Sequence, residues 1–282
     1  MPITKWMTVA MLAGMMTTRA GDTGTDPANK FAWAENAGWL NAHSSHHTVT
    51  IHYGEGTGGW LSGYLWAENI GWIVLGSAGG GPYANTTADN WGVDLAPDGR
   101  LIGYAWGENV GWINFEQTHG QPAINPANGE VSGHAWGENI GWISFRGASP
   151  DYGMRTLAFN TQPKGTPNWW LVNHGVDEDY DAGDNVPAWR KFVMDTDPNL
   201  AGDYLRIVSI SIAPSGEAEV VFTPASTRRY YTLNKTDDLT DPDAWGDVAG
   251  QINIPGTGAE QTLRDAEAGT RAFYRIRGEV KP

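Results

Sequence analysis

One hydrophobic phrase recurs four times in the first half of this chain. FAWAENAGWL (31–40), YLWAENIGWIVL (64–75), YAWGENVGWINF (104–115) and HAWGENIGWISF (134–145) each place an apolar arm, a polar Glu-Asn pair and a second apolar arm in the same order. Their leading tryptophans, Trp33, Trp66, Trp106 and Trp136, stand 33, 40 and 30 residues apart. Self-similarity at such a spacing marks repeated supersecondary units that bury their faces against one another. The lead-ins GGWLSGYLW, DGRLIGYAW and NGEVSGHAW put a turn before each strand, so every unit reads as a meander of about three strands. The units run from about residue 25 to 160, and Gly-, Pro- and Asn-rich stretches such as GSAGGGPYANTTADN absorb the differences in length.

Turn chemistry suggests a register for these hairpins. A two-residue loop at Glu108-Asn109 needs positive φ at Glu, whereas a three-residue loop Gly107-Glu108-Asn109 needs it only at Asn. In that register Trp106 faces Val110 and Tyr104 faces Trp112, so Tyr104, Trp106 and Trp112 share one face. Leu101, Gly103, Ala105, Gly111, Ile113 and Phe115 take the other. The same rule groups Phe31, Trp33 and Trp39; Tyr64, Trp66 and Trp72; and His134, Trp136 and Trp142. Eight motif tryptophans at roughly 200 Å² and about 25 cal/mol per Å² represent a gross upper bound of about 40 kcal/mol of burial. We therefore expect the aromatic face to be mainly core, packed into Gly and Ala grooves of neighbouring units, with some rim aromatics left to stack on a ligand.

Beyond the repeats the pattern changes twice. VDEDYDAGDNVPAWRKFVMDTDPN (176–199) is acidic at short spacing, and Asp177, Asp179, Asp181 and Asp184 offer hard oxygens suited to Ca²⁺. From Tyr204 onward LRIVSISI, EAEVVFTP, RRYYTLNKT and RAFYRIRG alternate apolar and polar positions between Pro, Gly and Asp turns, which fits a small β-sandwich.

Composition narrows the chemistry. The 282 residues carry 18 Lys and Arg against 32 Asp and Glu, a net charge of −14, the wrong sign for neutralising nucleic-acid phosphates. With no cysteine, thiolate zinc sites, disulfides and cysteine catalysis are excluded. No HExxH, GxSxG or phosphate-binding glycine loop is present. His43, His46, His47 and His52 fall in an irregular stretch without ordered ligand spacing. Glu35, Glu68, Glu108 and Glu138 occupy equivalent turn positions, whereas glycoside hydrolysis requires one asymmetric carboxyl pair; a turn acid bonded to the loop backbone is the better expectation. Residues 1–20, with Lys5 ahead of an apolar run from Trp6 to Met16, resemble a secretory leader cleaved before Gly21, and no other stretch approaches membrane length.

The phrase resembles the GYAW-x-ENIGWI-x-F repeats of bacterial exported and cell-envelope proteins. The acidic string resembles calcium-binding linker repeats of the thrombospondin type 3 kind, which run into a short helix and end in Thr-Asp-Pro, as VPAWRKF and Thr196-Asp197-Pro198 do here. An extra residue between Asp181 and Asp184, and Lys191 where that family has a bidentate Glu, depart from the pattern. The last eighty residues or so resemble the C-terminal sandwich modules that follow such linkers.

The expected protein is all-β. It comprises a leader (1–20), a Trp-rich meander array (21–160) arranged as a solenoid, a propeller-like body or a closed body, an acidic linker with a short helix (161–203) and a β-sandwich (204–282). The expected role is non-catalytic binding or scaffolding in the secreted or cell-surface space, including extracellular matrix, with a polysaccharide or cell-surface glycan as favoured ligand. Tyr64, Trp66, Trp72, Tyr104, Trp106, Trp112, Trp136 and Trp142 are the expected contact residues, and Ca²⁺ is the expected ion. The alternatives are a self-associating filament or surface-layer subunit and, third, a glycoside hydrolase.

Overall fold

The computed structural model describes residues 23–269 and 271–281, so the expected leader lies outside the described residues. The described residues are all-β apart from two short helices. The four phrases form four antiparallel hairpins: Thr25–Ala34 with Gly38–Asn41, Gly58–Ala67 with Gly71–Val74, Leu101–Gly107 with Gly111–Asn114, and His134–Gly137 with Gly141–Ser144. Each pairs with the next through Leu40↔Ala67, Ile73↔Gly107 and Ile113↔Gly137, and the fourth returns to the first through Ile143↔Ala34. Of the three arrangements left open by the sequence, the array is the closed one, a ring without a free strand edge at this level.

The hairpin register is Trp106↔Trp112 with Gly107↔Gly111, two residues away from the expected pairing. The reason is the turn: Val110 N–H donates to Gly107 O, and the left-handed residue is Gly111 (φ 75), after the loop, rather than Asn109 within it. A type I turn followed by a left-handed glycine matches the twist of the arms without strain at a side-chain-bearing residue. Because the slip is an even number of residues, the two faces keep their predicted members.

A second tier lies beneath the first. Val49–Gly54, Val93–Leu95, Ala123–Ile124, Glu130–Ser132 and Asp151–Thr156 pair with one another and with the lower halves of the long strands, and the bridges Gly24↔Thr50 and Arg100↔Ala123 complete the circuit. The strand kinks between tiers at Gly103 (φ 93), where an added Cβ would lie 2.2 Å from Gly92 O. Only glycine fits there.

The upper-tier interior is aliphatic, contrary to the expectation of a tryptophan core. Ala32, Ala34, Leu40, Leu65, Ala67, Ile73, Ala105, Ile113, Ala135 and Ile143 point inward in the upper tier, and Leu61, Leu101, Phe115, Ile124 and Phe145 continue the core below. No motif tryptophan belongs to this cluster. A ring of eight short strands encloses only a narrow space, which alternating small and branched side chains fill and indoles would overfill.

The segment expected as a linker is docked. Helices α1 (Asn168–His174) and α2 (Ala188–Met194) contribute Trp169, Trp170, Leu171, Ala188 and Phe192 to the ring's core, and Tyr53 meets Phe159 and Trp169 edge-on at 4.9 and 5.2 Å. The C-terminal region packs a three-stranded sheet (Arg206–Ile212, Ala218–Thr223, Gln261–Asp265) against a four-stranded one built on Arg229–Thr236 and Phe273–Val280. Val220, Phe222, Tyr231, Leu233 and Leu263 form its core. Arg229, wholly buried, joins the two bodies: it donates to Phe192 O (2.8 Å), Val193 O (3.0 Å) and Glu55 Oε1 (3.2 Å).

Candidate ligand-binding surface

The eight motif tryptophans form a belt around the outside of the ring. Each hairpin pairs its two indoles across the strands, with centroids 4.9, 4.7, 4.8 and 4.9 Å apart in order along the chain. The second indole of each pair is also gripped by the aromatic lead-in of its own hairpin: Phe31 at 5.9 Å from Trp39, Tyr64 at 5.8 Å from Trp72, Tyr104 at 6.1 Å from Trp112 and His134 at 6.2 Å from Trp142. A residue from outside the repeated phrase closes a third side in three cases: Tyr152, on the strand Asp151–Thr156, on Trp39 at 5.0 Å, and loop residues His47 on Trp72 at 4.8 Å and Trp91 on Trp112 at 5.1 Å. In spite of these contacts Trp39, Trp72 and Trp112 are 42%, 44% and 45% exposed. They are fixed in orientation and open on one side.

Neighbouring hairpins enclose grooves between their belts. Between the first and second, a groove of about 720 Å³ is lined by Phe31, Trp33, Trp39, Trp66 and Tyr152, with Glu68 and Asp151 also in its wall. Across the ring, between the third and fourth, a groove of about 770 Å³ is lined by Tyr104, Trp112, Trp136, Trp91, Gln117 and Glu138. The loop that carries Trp91 is pinned from below: Tyr83 N–H and Asn85 Nδ2 donate to Asp94, Gly92 N–H donates to Asn85 Oδ1, and Tyr83 OH donates to Leu61 O. Burial pushes the Asp94 carboxyl above its ordinary range.

The structure therefore brings Tyr104, Trp112 and Trp136 of the expected contact residues into one groove, with Trp106 behind Trp112. Trp66 joins a different groove, Trp72 stands beside His47 with Tyr64 against its own ring, and Trp142 backs onto Trp136 and the Gly120 loop. Trp33, Trp39, Tyr152 and Trp91 complete the two grooves and were not among those residues. The first two stand in the first copy of the phrase, so the repeat itself carries their signal. The other two, on the strand Asp151–Thr156 and on the loop before Val93, lie outside the phrase, with no repeat to mark them.

The Glu-Asn pairs divide their labour. The asparagines form a cyclic clasp over the end of the ring: Asn69 Nδ2 donates to Ala37 O (3.2 Å), Asn109 to Ile70 O (3.0 Å), Asn139 to Val110 O (3.0 Å) and Asn36 to Ile140 O (3.5 Å). The accepting residues are apolar because their side chains plug that end; Ala37, Val110 and Ile140 are buried. The expectation that the glutamates bond the loop backbone is thus corrected: the asparagines do so, and Glu35, Glu68, Glu108 and Glu138 extend into solvent.

Among the described residues no group of three or more His, Asp or Glu is gathered as a metal cluster. His47 lies against Trp72 with its Nε2 3.1 Å from Asn41 O, and His52 stacks on Trp60 and meets Ser62 Oγ at 2.8 Å. In the acidic loop Asp177 accepts Asp179 N–H, Asp179 pairs with Lys164, and Asp181 Oδ1 accepts three backbone N–H groups, from Gly183, Asp184 and Asn185. Lys191, wholly buried, donates to Asp184 Oδ2 (2.7 Å) and Leu200 O (2.8 Å).

No protein-family model matches the chain, and neither curated proteins nor solved structures include a significantly similar one.

Proposed function

We propose that this is an exported, non-catalytic binding protein whose ring presents aromatic platforms to polysaccharide at the cell surface or in the extracellular matrix. The observation that carries the reading is that Trp39, Trp72 and Trp112 are each held by two or more aromatic neighbours yet remain nearly half exposed. Leaving that much indole in water forgoes about 2 kcal/mol per ring at about 25 cal/mol per Å². A rigid, open indole flanked by amide and carboxylate groups suits the apolar face and hydroxyl rim of a sugar. The leader-like residues 1–20 support export.

Glycan-array binding and tryptophan fluorescence titration of the mature chain test the reading. Quenching by at least one polysaccharide, lost in a Trp39→Ala/Trp72→Ala/Trp112→Ala variant, is the expected result; silence across polysaccharides overturns it.

Two observations favour the alternatives. The strand Arg206–Ile212 lies at a sheet edge with Val208, Ile210 and Ile212 exposed, which suits edge-to-edge assembly into filaments. Electron microscopy of the purified chain decides this one. Glu68 and Asp151 share the first groove, as a hydrolase pair would. Release of reducing ends from a bound polysaccharide, abolished by Glu68→Gln, establishes catalysis in place of binding.

A further inference from the structure

Resting on the glycan reading, the charge around the groove between the third and fourth hairpins narrows the ligand. Three indoles and a phenol line it, and among the described residues the only charged side chain in its wall is Glu138. Glu138 is exposed and has no ion-pair partner among the described residues. Among the described residues no lysine or arginine lines the groove. The opposite groove differs, because Lys30 already stands over Phe31 at 5.4 Å and Arg146, paired to Glu130 at 2.6 Å, borders Asp151.

An anionic sugar would meet a carboxylate there with nothing to offset it, in a chain whose net charge is −14. A neutral sugar would gain stacking and hydrogen bonds to the amides of Asn114 and Gln117 and to the Glu138 carboxylate, but no charge attraction. A sugar with a protonated amine gains stacking together with attraction to the π faces of Trp91, Trp112 and Trp136 and to the Glu138 carboxylate, each interaction strengthened by partial exclusion of water. We propose that this groove binds glycans built of amino sugars with free amines, of the polyglucosamine type, with Trp112 as the stacking platform and Glu138 as the counter-charge.

The test uses the full mature chain and three oligosaccharides of equal length: a glucosamine oligomer, its fully N-acetylated counterpart and a neutral glucose oligomer. They are titrated at a pH where the amines are protonated, with fluorescence and calorimetric readouts. The glucosamine oligomer is expected to bind at least tenfold more tightly than the other two. Trp112→Ala should weaken it at least tenfold, Glu138→Gln should bring the three within about twofold of each other, and Asp243→Asn on the sandwich surface should change nothing. Trp112→Tyr, which keeps a smaller ring, should retain part of the binding and controls for misfolding.

Equal binding of all three oligomers overturns the amine preference and leaves the glycan reading standing. Absence of binding by any oligosaccharide, or by polysaccharides in the array, overturns both. Tight binding that persists undiminished in Trp112→Ala and in Glu138→Gln, whether or not it falls in Asp243→Asn, reports adsorption elsewhere on an acidic surface and overturns the assigned site.

Discussion

In the upper tier of the ring the motif tryptophans lie on the outer face and Ala, Leu and Ile fill the inside; in the C-terminal sandwich Phe222 and Tyr231 are wholly buried, 4.9 Å apart, and aliphatic Val208, Ile210 and Ile212 are left outside. Both are antiparallel sheets with alternating patterns. What differs is the space behind the sheet. Two sheets packed face to face leave a slab about 10 Å thick that accommodates an aromatic ring, whereas a sheet closed on itself narrows toward its axis. Aromatic content therefore says little about which face is the core until closure is known, and in the ring's upper tier the repeated indoles mark the outer surface.

The interface between the two bodies gives the largest expected effect. Arg229 supplies three hydrogen bonds to ring and helix, and Asp195 accepts from Arg228 (2.5 Å) and from Ser226. Burial alone would raise the Asp195 carboxyl, but hydrogen bonds from Arg228 and Ser226 and the charges of Arg229 and Arg228 outweigh it and hold it below its ordinary value. Arg229→Ala leaves Glu55 without its closest cation, Val193 O without its side-chain donor and Phe192 O with the Asp195 N–H alone, and is expected to cost about 4 kcal/mol. Calorimetry should show the sandwich melting apart from the ring; one unchanged transition would mean that the two bodies are not coupled through this residue.

Within the ring, Ile113→Ala and Trp112→Ala compare inside with outside on adjacent residues. The buried isoleucine should cost about 3 kcal/mol of stability, the half-exposed indole about 2, while ligand binding should be lost only with the indole. Urea midpoints and fluorescence titration of the two variants read both quantities. A reversed order of stability would restore the tryptophans to a core role.

The clasp at the turn end is worth less per residue. Asn109→Ala removes one hydrogen bond, to Ile70 O, and should cost about 1 kcal/mol. Glu108→Ala, one residue away and in solvent, should cost less than about 0.5 kcal/mol. Equal costs in urea melts would return the loop-bonding role to the glutamate.

The strands and their faces were legible because the phrase repeats and because a slip of two residues preserves parity: Tyr104, Trp106 and Trp112 share a face in either register. Which face turns inward was not legible, since it depends on Ile143 meeting Ala34 more than a hundred residues away. The asparagine clasp was hidden for the same reason, as every donor reaches a different hairpin. VPAWRKF gave away helix α2, but nothing local showed that Phe192 packs into the ring's core.

The smallest expected effects lie in the acidic loop, the segment that joins the two regions compared above. A hydrogen bond from Lys191, supported by the backbone N–H groups of Gly202 and Val186, holds the Asp184 carboxyl down to about 2, below its ordinary 3.8. A depressed carboxylate stabilises the fold fully above its ordinary value and loses that contribution as pH falls through the folded one. Tm should therefore be insensitive to this residue above about pH 4 and decline between there and pH 2, with the decline shallower in Asp184→Asn. Calcium at Asp177, Asp179, Asp181 and Asp184 is a separate proposal, and Lys191 dictates its test. The ammonium already neutralises Asp184 and ties it to Leu200 O, so millimolar calcium should raise Tm by no more than about 2 °C in the native chain. In Lys191→Met, where Asp184 is released to the loop, the rise should be larger, and Asp179→Ala with Asp181→Ala should remove it. No rise in either chain would leave the loop organised by the lysine alone, a fixed internal cation standing where the resemblance to calcium-binding linkers places an exchangeable one.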